Sequence, residues 1–295
     1  MSAALPGRAP EWIREKRLRL SELHDVKALM RRSALSTVCE EARCPNRGEC
    51  FSRGTATFLM LGDVCTRACG FCDIATGRPK APDPLEPARV AAAAKSLGLS
   101  FVVLTSVDRD DLPDGGAAHF AAAIAALRRL DPAPAVEVLT PDFRGRFDSL
   151  RIVVDARPDV FNHNVETVGR LYATVRRGAS LDRSLGLLAA AKILDPSLTT
   201  KSGLMLGLGE TEAEVRELLA RMRDSGVDIV TMGQYLRPSR ENLPVVDYVR
   251  PEVFERHRAA GEGMGFRHVF AGPFVRSSYR AEEALAAAGV ASLSH

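Results

Sequence analysis

Alternation of two kinds of segment constrains this 295-residue chain most. Apolar runs of strand length occur at 57–61, 101–105, 136–140, 160–163, 203–206 and 229–235, and helix-like stretches separate them. The clearest helix spans 211–225, where Val215, Leu218, Leu219 and Met222 share one face at the i, i+3, i+4, i+7 spacing. Thr211 and Glu214 form a capping-box pair at its start, and Gly226 supplies a stop. Helices are also expected at 89–97, 117–130 and 251–264, with a short closing strand at 268–271. Strands alternating with helices imply βα units around a parallel sheet. About six units fit in 54–250, short of the eight of a full barrel, so a partial barrel or an open doubly wound sheet is expected. Residues 1–53 read as an N-terminal extension and 251–295 as a C-terminal one.

Composition removes whole classes. No run approaches the roughly 18 apolar residues of a membrane span. The first ten residues lack the apolar core of a secretory signal. The expected location is the cytoplasm, where clustered cysteines bind metal more often than they pair. A net charge of +3 gives no argument for nucleic acid.

All six cysteines fall between 39 and 72. Cys65, Cys69 and Cys72 have the spacing C-x3-C-x2-C, directly after the first strand. Three thiolates so close can wrap one cuboidal iron–sulfur cluster and leave its fourth iron open to a substrate or cofactor. Strand C-terminal ends are where barrel active sites assemble. Cys39, Cys44 and Cys50 form a second triplet, again one ligand short of four. Structural zinc is the plain alternative, but it needs four ligands, usually in paired cysteines, and no histidine lies between 25 and 118. A two-cluster electron carrier is a rival reading, opposed by the open iron and the long region after Cys72.

The C-x3-C-x2-C loop resembles that of radical S-adenosylmethionine enzymes. Val38-Cys39-Glu40-Glu41-Ala42-Arg43-Cys44-Pro45-Asn46 resembles the lipoyl synthase family. So do Pro10-Glu11-Trp12-Ile13-Arg14, Asn162-His163-Asn164-Val165-Glu166-Thr167, Gly233-Gln234-Tyr235-Leu236 and Arg276-Ser277-Ser278-Tyr279-Arg280-Ala281. The two triplets and the Arg-Ser-Ser-Tyr segment separate this family from biotin-synthase relatives.

The resemblance implies a partial (βα)6 TIM-type barrel of the radical SAM type. It implies a 4Fe–4S cluster on Cys65, Cys69 and Cys72 that binds S-adenosylmethionine. A second 4Fe–4S cluster on Cys39, Cys44 and Cys50 would donate sulfur, its fourth ligand being Ser277 or Ser278, with Ser278 favoured. The implied reaction inserts sulfur at C6 and C8 of an octanoyl-lysine on a lipoyl carrier domain or glycine-cleavage H protein, with ferredoxin or flavodoxin as reductant. No nucleic acid or membrane partner is implied. Basic residues Arg14, Lys16, Arg17, Arg19, Arg31 and Arg32 could meet an acidic carrier, although a basic face is usually just solvated.

Weaker candidates surround the cofactor. Asn164 and Glu166 resemble nucleoside contacts; the plain reading of Glu166 is an acid at a helix start. Thr105 and Ser106 could meet the methionyl group. Arg176 could pair with its carboxylate, against the alternative of a solvated arginine. Phe71 is expected to pack near adenine. Gly207-Leu208-Gly209-Glu210-Thr211 is expected to be a tight βα turn that lends backbone amides to the cofactor, since Glu212 sits where a dinucleotide fingerprint needs glycine. His163, in an apolar strand, is expected to be packed rather than a ligand.

Overall fold

The computed structural model describes residues 10–14, 35–37 and 55–278. Seven parallel strands form one sheet in sequence order. They are β1 (Thr55–Met60), β2 (Phe101–Ser106), β3 (Ala135–Leu139), β4 (Val160–Asn162), β5 (Thr199–Leu206), β6 (Ile229–Gln234) and β7 (His268–Gly272). Ser36–Thr37 adds an antiparallel pairing on the free side of β1. Among the described residues no pairing joins β1 to β7, so the barrel is partial. The sheet nevertheless curls, because one cavity is lined from β1, β2, β3, β5 and β6 together. The expected six strands are present, and the segment assigned to the C-terminal extension supplies a seventh, with His268 beside Ile229 and Gly272 beside Gly233.

Helices α1 (Glu86–Ser96), α2 (Ala117–Arg128), α3 (Phe147–Asp155), α4 (Leu181–Leu194), α5 (Glu212–Asp224) and α6 (Pro251–Gly263) cover the outside. Neighbouring pairs α1–α2, α2–α3, α3–α4 and α5–α6 pack together. In α5 the capping box of Thr211 and Glu214 is formed, and Val215, Leu218, Leu219 and Met222 are buried as their spacing requires. Phe120, Ile124 and Leu127 of α2 are fully buried. No helix among the described residues is long and apolar enough to cross a membrane.

Strand β5 starts four residues before the apolar run that signalled it. Thr199, Thr200, Lys201 and Ser202 look like a polar loop, yet all four are buried. In-register neighbours Leu59, Thr105, Leu139, Asn162 and Lys201 form one row across β1 to β5. Members of such a row share a face. Because Leu59, Thr105 and Leu139 line the cavity, Asn162 and Lys201 also face inward. Lys201 Nζ lies 3.0 Å from Glu137 Oε2, and Asn162 Nδ2 donates to Glu137 Oε1 at 2.7 Å. A charged layer therefore underlies the cavity floor, with an apolar plug of Phe101, Val103 and Val160 as a separate cluster.

Candidate active site

The C-x3-C-x2-C loop leaves β1 through a turn that its neighbours clamp. Leu61 has φ +66°, a strained value for a side chain with a Cβ. Its N–H donates to Glu86 Oε2 at 2.9 Å, and its carbonyl accepts from the buried Arg109 guanidinium at 3.1 Å. The loop is closed on itself by parallel pairing of Val64–Cys65 with Ala75–Thr76. Gly70, inside it, is held from two sides. Its N–H donates to Val175 O and its carbonyl accepts from Leu243 N, both at 2.9 Å. A Cβ at Gly70 would lie 2.7 Å from Leu243 Cδ1 and 3.0 Å from the Thr174 carbonyl oxygen, so the loop packs closely on both at this glycine. Asn242 Nδ2 donates to the Cys72 carbonyl at 2.8 Å.

Arg67, between the first two cysteines, ties the loop to the ends of two strands. It grips Asp110 through Nε and Nη2, both at 2.8 Å, and reaches buried Asp142 at 2.6 Å and Asp108 at 3.3 Å. Burial would raise the Asp142 carboxyl, but Arg67 beside it holds it well below the ordinary carboxylate range. Asp108 is itself raised by burial and faces Cys65 Sγ at 3.9 Å.

Cys65, Cys69 and Cys72 are free, half-buried, and line one cavity of about 480 Å³ at the C-terminal ends of the strands. Burial pushes the Cys69 thiol up to about 12 and Cys72 to about 11, and raises Cys65. A site that dry keeps thiols neutral until a cation compensates them, which is what iron supplies. Among the described residues no three Cys, His, Asp or Glu side chains converge on a single-ion position. Three cysteines lining one cavity suit a cuboidal cluster, because each thiolate then serves a different iron. The residues present fit that group.

The remaining sequence candidates fall around the same cavity. Phe71, Thr105, Ser106, Asn164, Glu166 and Arg176 all line it. Thr105 Oγ1 is engaged by Leu139 O at 2.8 Å, whereas Ser106 Oγ and Asn164 Oδ1 are buried without a protein partner. Glu166 has φ +67°, and its backbone bridges to β5 through Gly203 O and Met205 N, each at 2.9 Å. Burial raises its carboxyl, against the opposing pull of Arg176. Arg176 is buried, donating to Asn164 O and Ser184 Oγ at 2.8 Å, so the solvated alternative is retired. Phe71 packs against Val175, Leu208, Tyr235 and Val245. Ser277 lines the cavity; Ser278 is half-buried beside it and outside the lining. Cys39, Cys44 and Cys50 lie outside the described residues.

The glycine turn after β5 corrects one expectation. Gly207 N donates to Glu210 Oε1 at 2.5 Å and Leu208 N to Glu210 Oε2 at 3.0 Å. These amides serve Glu210 and are not available to a cofactor. His163 is a packed residue, as expected. Its Nδ1 bonds Thr140 O at 2.8 Å, and burial together with Arg176 lowers its pKa to about 3.

The profile of the Radical SAM superfamily matches residues 59–233. The lipoyl synthase of Acidithiobacillus ferrooxidans is 56% identical over 274 residues, covering 92% of this chain and 86% of that protein. That of Caldanaerobacter subterraneus is 53% identical over 281 residues, covering 95% of this chain and 98% of its own. The chain belongs to the lipoyl synthase family. Solved structures of more distant proteins share the fold. Methylornithine synthase aligns with a TM-score of 0.55 at 14% identity, covering 89% of this chain and 88% of its own. Coproporphyrinogen III oxidase from Escherichia coli aligns at 0.53 and 14% identity, covering 74% and 55%.

Several residues in and around the cavity of this lipoyl synthase family member escaped the reading of motifs. Asp108, Asp110 and Asp142 had one local signal, acids placed just beyond strand ends. Arg67 sat unnoticed inside the cysteine motif. Asn242 had none, because its partner Cys72 lies 170 positions away in sequence.

Proposed function

We propose that this chain inserts sulfur at C6 and C8 of an octanoyl-lysine carried on a lipoyl domain or glycine-cleavage H protein. One observation carries the reading: the cysteine loop opens into a cavity at the strand ends of a chain that matches lipoyl synthases over nearly its whole length. When bound, a 4Fe–4S cluster supplies the electron that cleaves S-adenosylmethionine to a 5′-deoxyadenosyl radical, able to take hydrogen from an unactivated carbon. The chain's own residues hold and seal. Cys65, Cys69 and Cys72 would hold the cluster through three thiolates, which would leave one iron open to the cofactor. Arg176 supplies positive charge toward that carboxylate, while Ser106 and Asn164 offer unengaged polar atoms. Asn164 and Glu166 face the nucleoside. Leu59, Val107, Leu139 and Met205 keep the cavity apolar for an acyl chain.

The sulfur donor is proposed to be a second 4Fe–4S cluster, consumed as a substrate, on Cys39, Cys44, Cys50 and a serine, Ser278 or Ser277. An alkoxide is a harder ligand than thiolate and would release its iron first. Each insertion consumes one S-adenosylmethionine and an electron from a ferredoxin- or flavodoxin-type donor.

The test is anaerobic. The chain is reconstituted with iron and sulfide and given S-adenosylmethionine, reductant and octanoylated carrier. Deoxyadenosine together with a thiolated carrier is expected. Deoxyadenosine alone would reject the substrate; none, with cluster intact, would reject the reaction class. Replacing each serine by cysteine identifies the ligand as the position where the second cluster survives and sulfur insertion drops.

A further inference from the structure

Chain reversal after β7 brings the serine-bearing segment over the mouth of the barrel. Two glycines, Gly233 of β6 and Gly272 of β7, stand side by side in register where this happens. The chain turns there, with Val275 N donating to Gly272 O at 3.1 Å. It then folds back so that Val275, Arg276 and Ser277 line the cavity. Gly233 faces inward, since it pairs with Met205, and both line that cavity. A Cβ built on Gly233 would lie 2.0 Å from the Val275 carbonyl oxygen. Backbone therefore rests on bare Cα. Arg276 Nη1 donates to the same carbonyl at 2.6 Å and to Pro273 O at 3.3 Å, and Gln234 N donates to Pro273 O at 3.3 Å.

We propose that Gly233 is a positioning residue for the sulfur-donor half of the site: the missing side chain is the seat that sets where Ser277 and Ser278 reach. The proposal rests on the serine assignment above. Ordinary contact begins near 3.4 Å, so a methyl group at Gly233 moves the Val275 carbonyl by at least about 1 Å. Ser277 and Ser278 follow within three residues. Misplacement by about 1 Å can cost about a hundredfold in a step that needs the moved group. The three cysteines of the other cluster are in a loop held instead by Arg67, Val175, Asn242 and Leu243. Loss should therefore fall unequally on the two halves of the reaction.

Gly203 is the internal comparison. It also faces inward, but a Cβ there meets Thr231 Oγ1 at 2.7 Å and Asn164 Oδ1 at 2.8 Å, on the nucleoside side. The experiment compares wild type, Gly233→Ala and Gly203→Ala after anaerobic reconstitution. Three quantities are read: deoxyadenosine formed per lipoyl product, the rate at which a chelator strips iron, and the Kd for S-adenosylmethionine. Gly233→Ala is expected to raise the deoxyadenosine-to-product ratio about tenfold or more and to make about half the iron labile, with little change in Kd. Gly203→Ala is expected to weaken Kd instead. A Gly233→Ala protein whose ratio and iron lability match wild type, or whose two activities fall in proportion, overturns the seat. If Gly233→Ala does not fold, Arg276→Gln decides: a raised ratio supports the seat and an unchanged ratio overturns it. A wild-type chain that cleaves S-adenosylmethionine without thiolating any carrier overturns the functional reading instead, and chelator lability alone then decides.

Discussion

Replacing Lys201 by Met tests the charged layer beneath the cavity. Lys201 and Glu137 are both fully buried, with Nζ 3.0 Å from Oε2 and 3.2 Å from Oε1. At 3.0 Å and an effective dielectric of about 20, Coulomb attraction is about 5–6 kcal/mol. Removing water from both ions costs about as much, so the pair adds little net stability. Removing one partner is different, because the survivor keeps its desolvation cost and loses its counter-charge. Lys201→Met should destabilise by about 3–5 kcal/mol, a large fraction of a typical total of about 5–15. Glu137→Gln should also destabilise, although its amide oxygen can still accept from Asn162. The double variant should recover most of the loss, giving a strongly non-additive cycle. Equilibrium urea denaturation of the apoprotein, followed by far-UV circular dichroism, measures all four proteins. Lys201→Met within about 1 kcal/mol of wild type, or additive single losses, would refute the reasoning.

Three further outcomes are expected. His163 has its pKa lowered from 6.5 to about 3, so the folded state stays neutral where the unfolded chain takes a proton. Stability is complete above 6.5 and is lost as pH falls toward 3, by about 2 kcal/mol between pH 7 and 5; His163→Gln should flatten that slope in urea titrations at the two pH values. Arg67→Lys keeps the charge but loses the fork that holds Asp110 and Asp142; it should lower iron retained per chain and slow S-adenosylmethionine cleavage about tenfold or more, read by iron assay and deoxyadenosine yield. Cys69→Ala should abolish deoxyadenosine formation while leaving about half the iron bound to the second triplet, whereas loss of all iron would show that the two sites are not independent.

The parallel sheet was legible because its strands are apolar runs, buried on both faces between interior and helices. Helix α5 was legible because its cap and its buried stripe are short-range patterns. The first four residues of β5 were not. Polar side chains at Thr199 to Ser202 have the signature of a loop, and they are accommodated in a strand because Glu137 meets Lys201, Asp228 meets Thr200 and the Val165 N–H meets Ser202. The seventh strand was visible as a segment, but its place in the sheet depends on pairing with Ile229 to Gly233, which no local pattern encodes.

Sequence alone pointed to an iron–sulfur loop, because cysteine spacing within eight residues is a local property, and the resemblance of its motifs to lipoyl synthases supplied the reaction. It also fixed the class of fold through alternation. Tertiary structure alone decided what surrounds those cysteines. Cys72 is bonded by a residue 170 positions away, Arg67 by an acid 75 away, and the Val275 carbonyl rests on Gly233. Such partners are chosen by the curl of the sheet. A carboxylate, an amide or a missing side chain acquires its meaning only when the strand ends meet around one cavity.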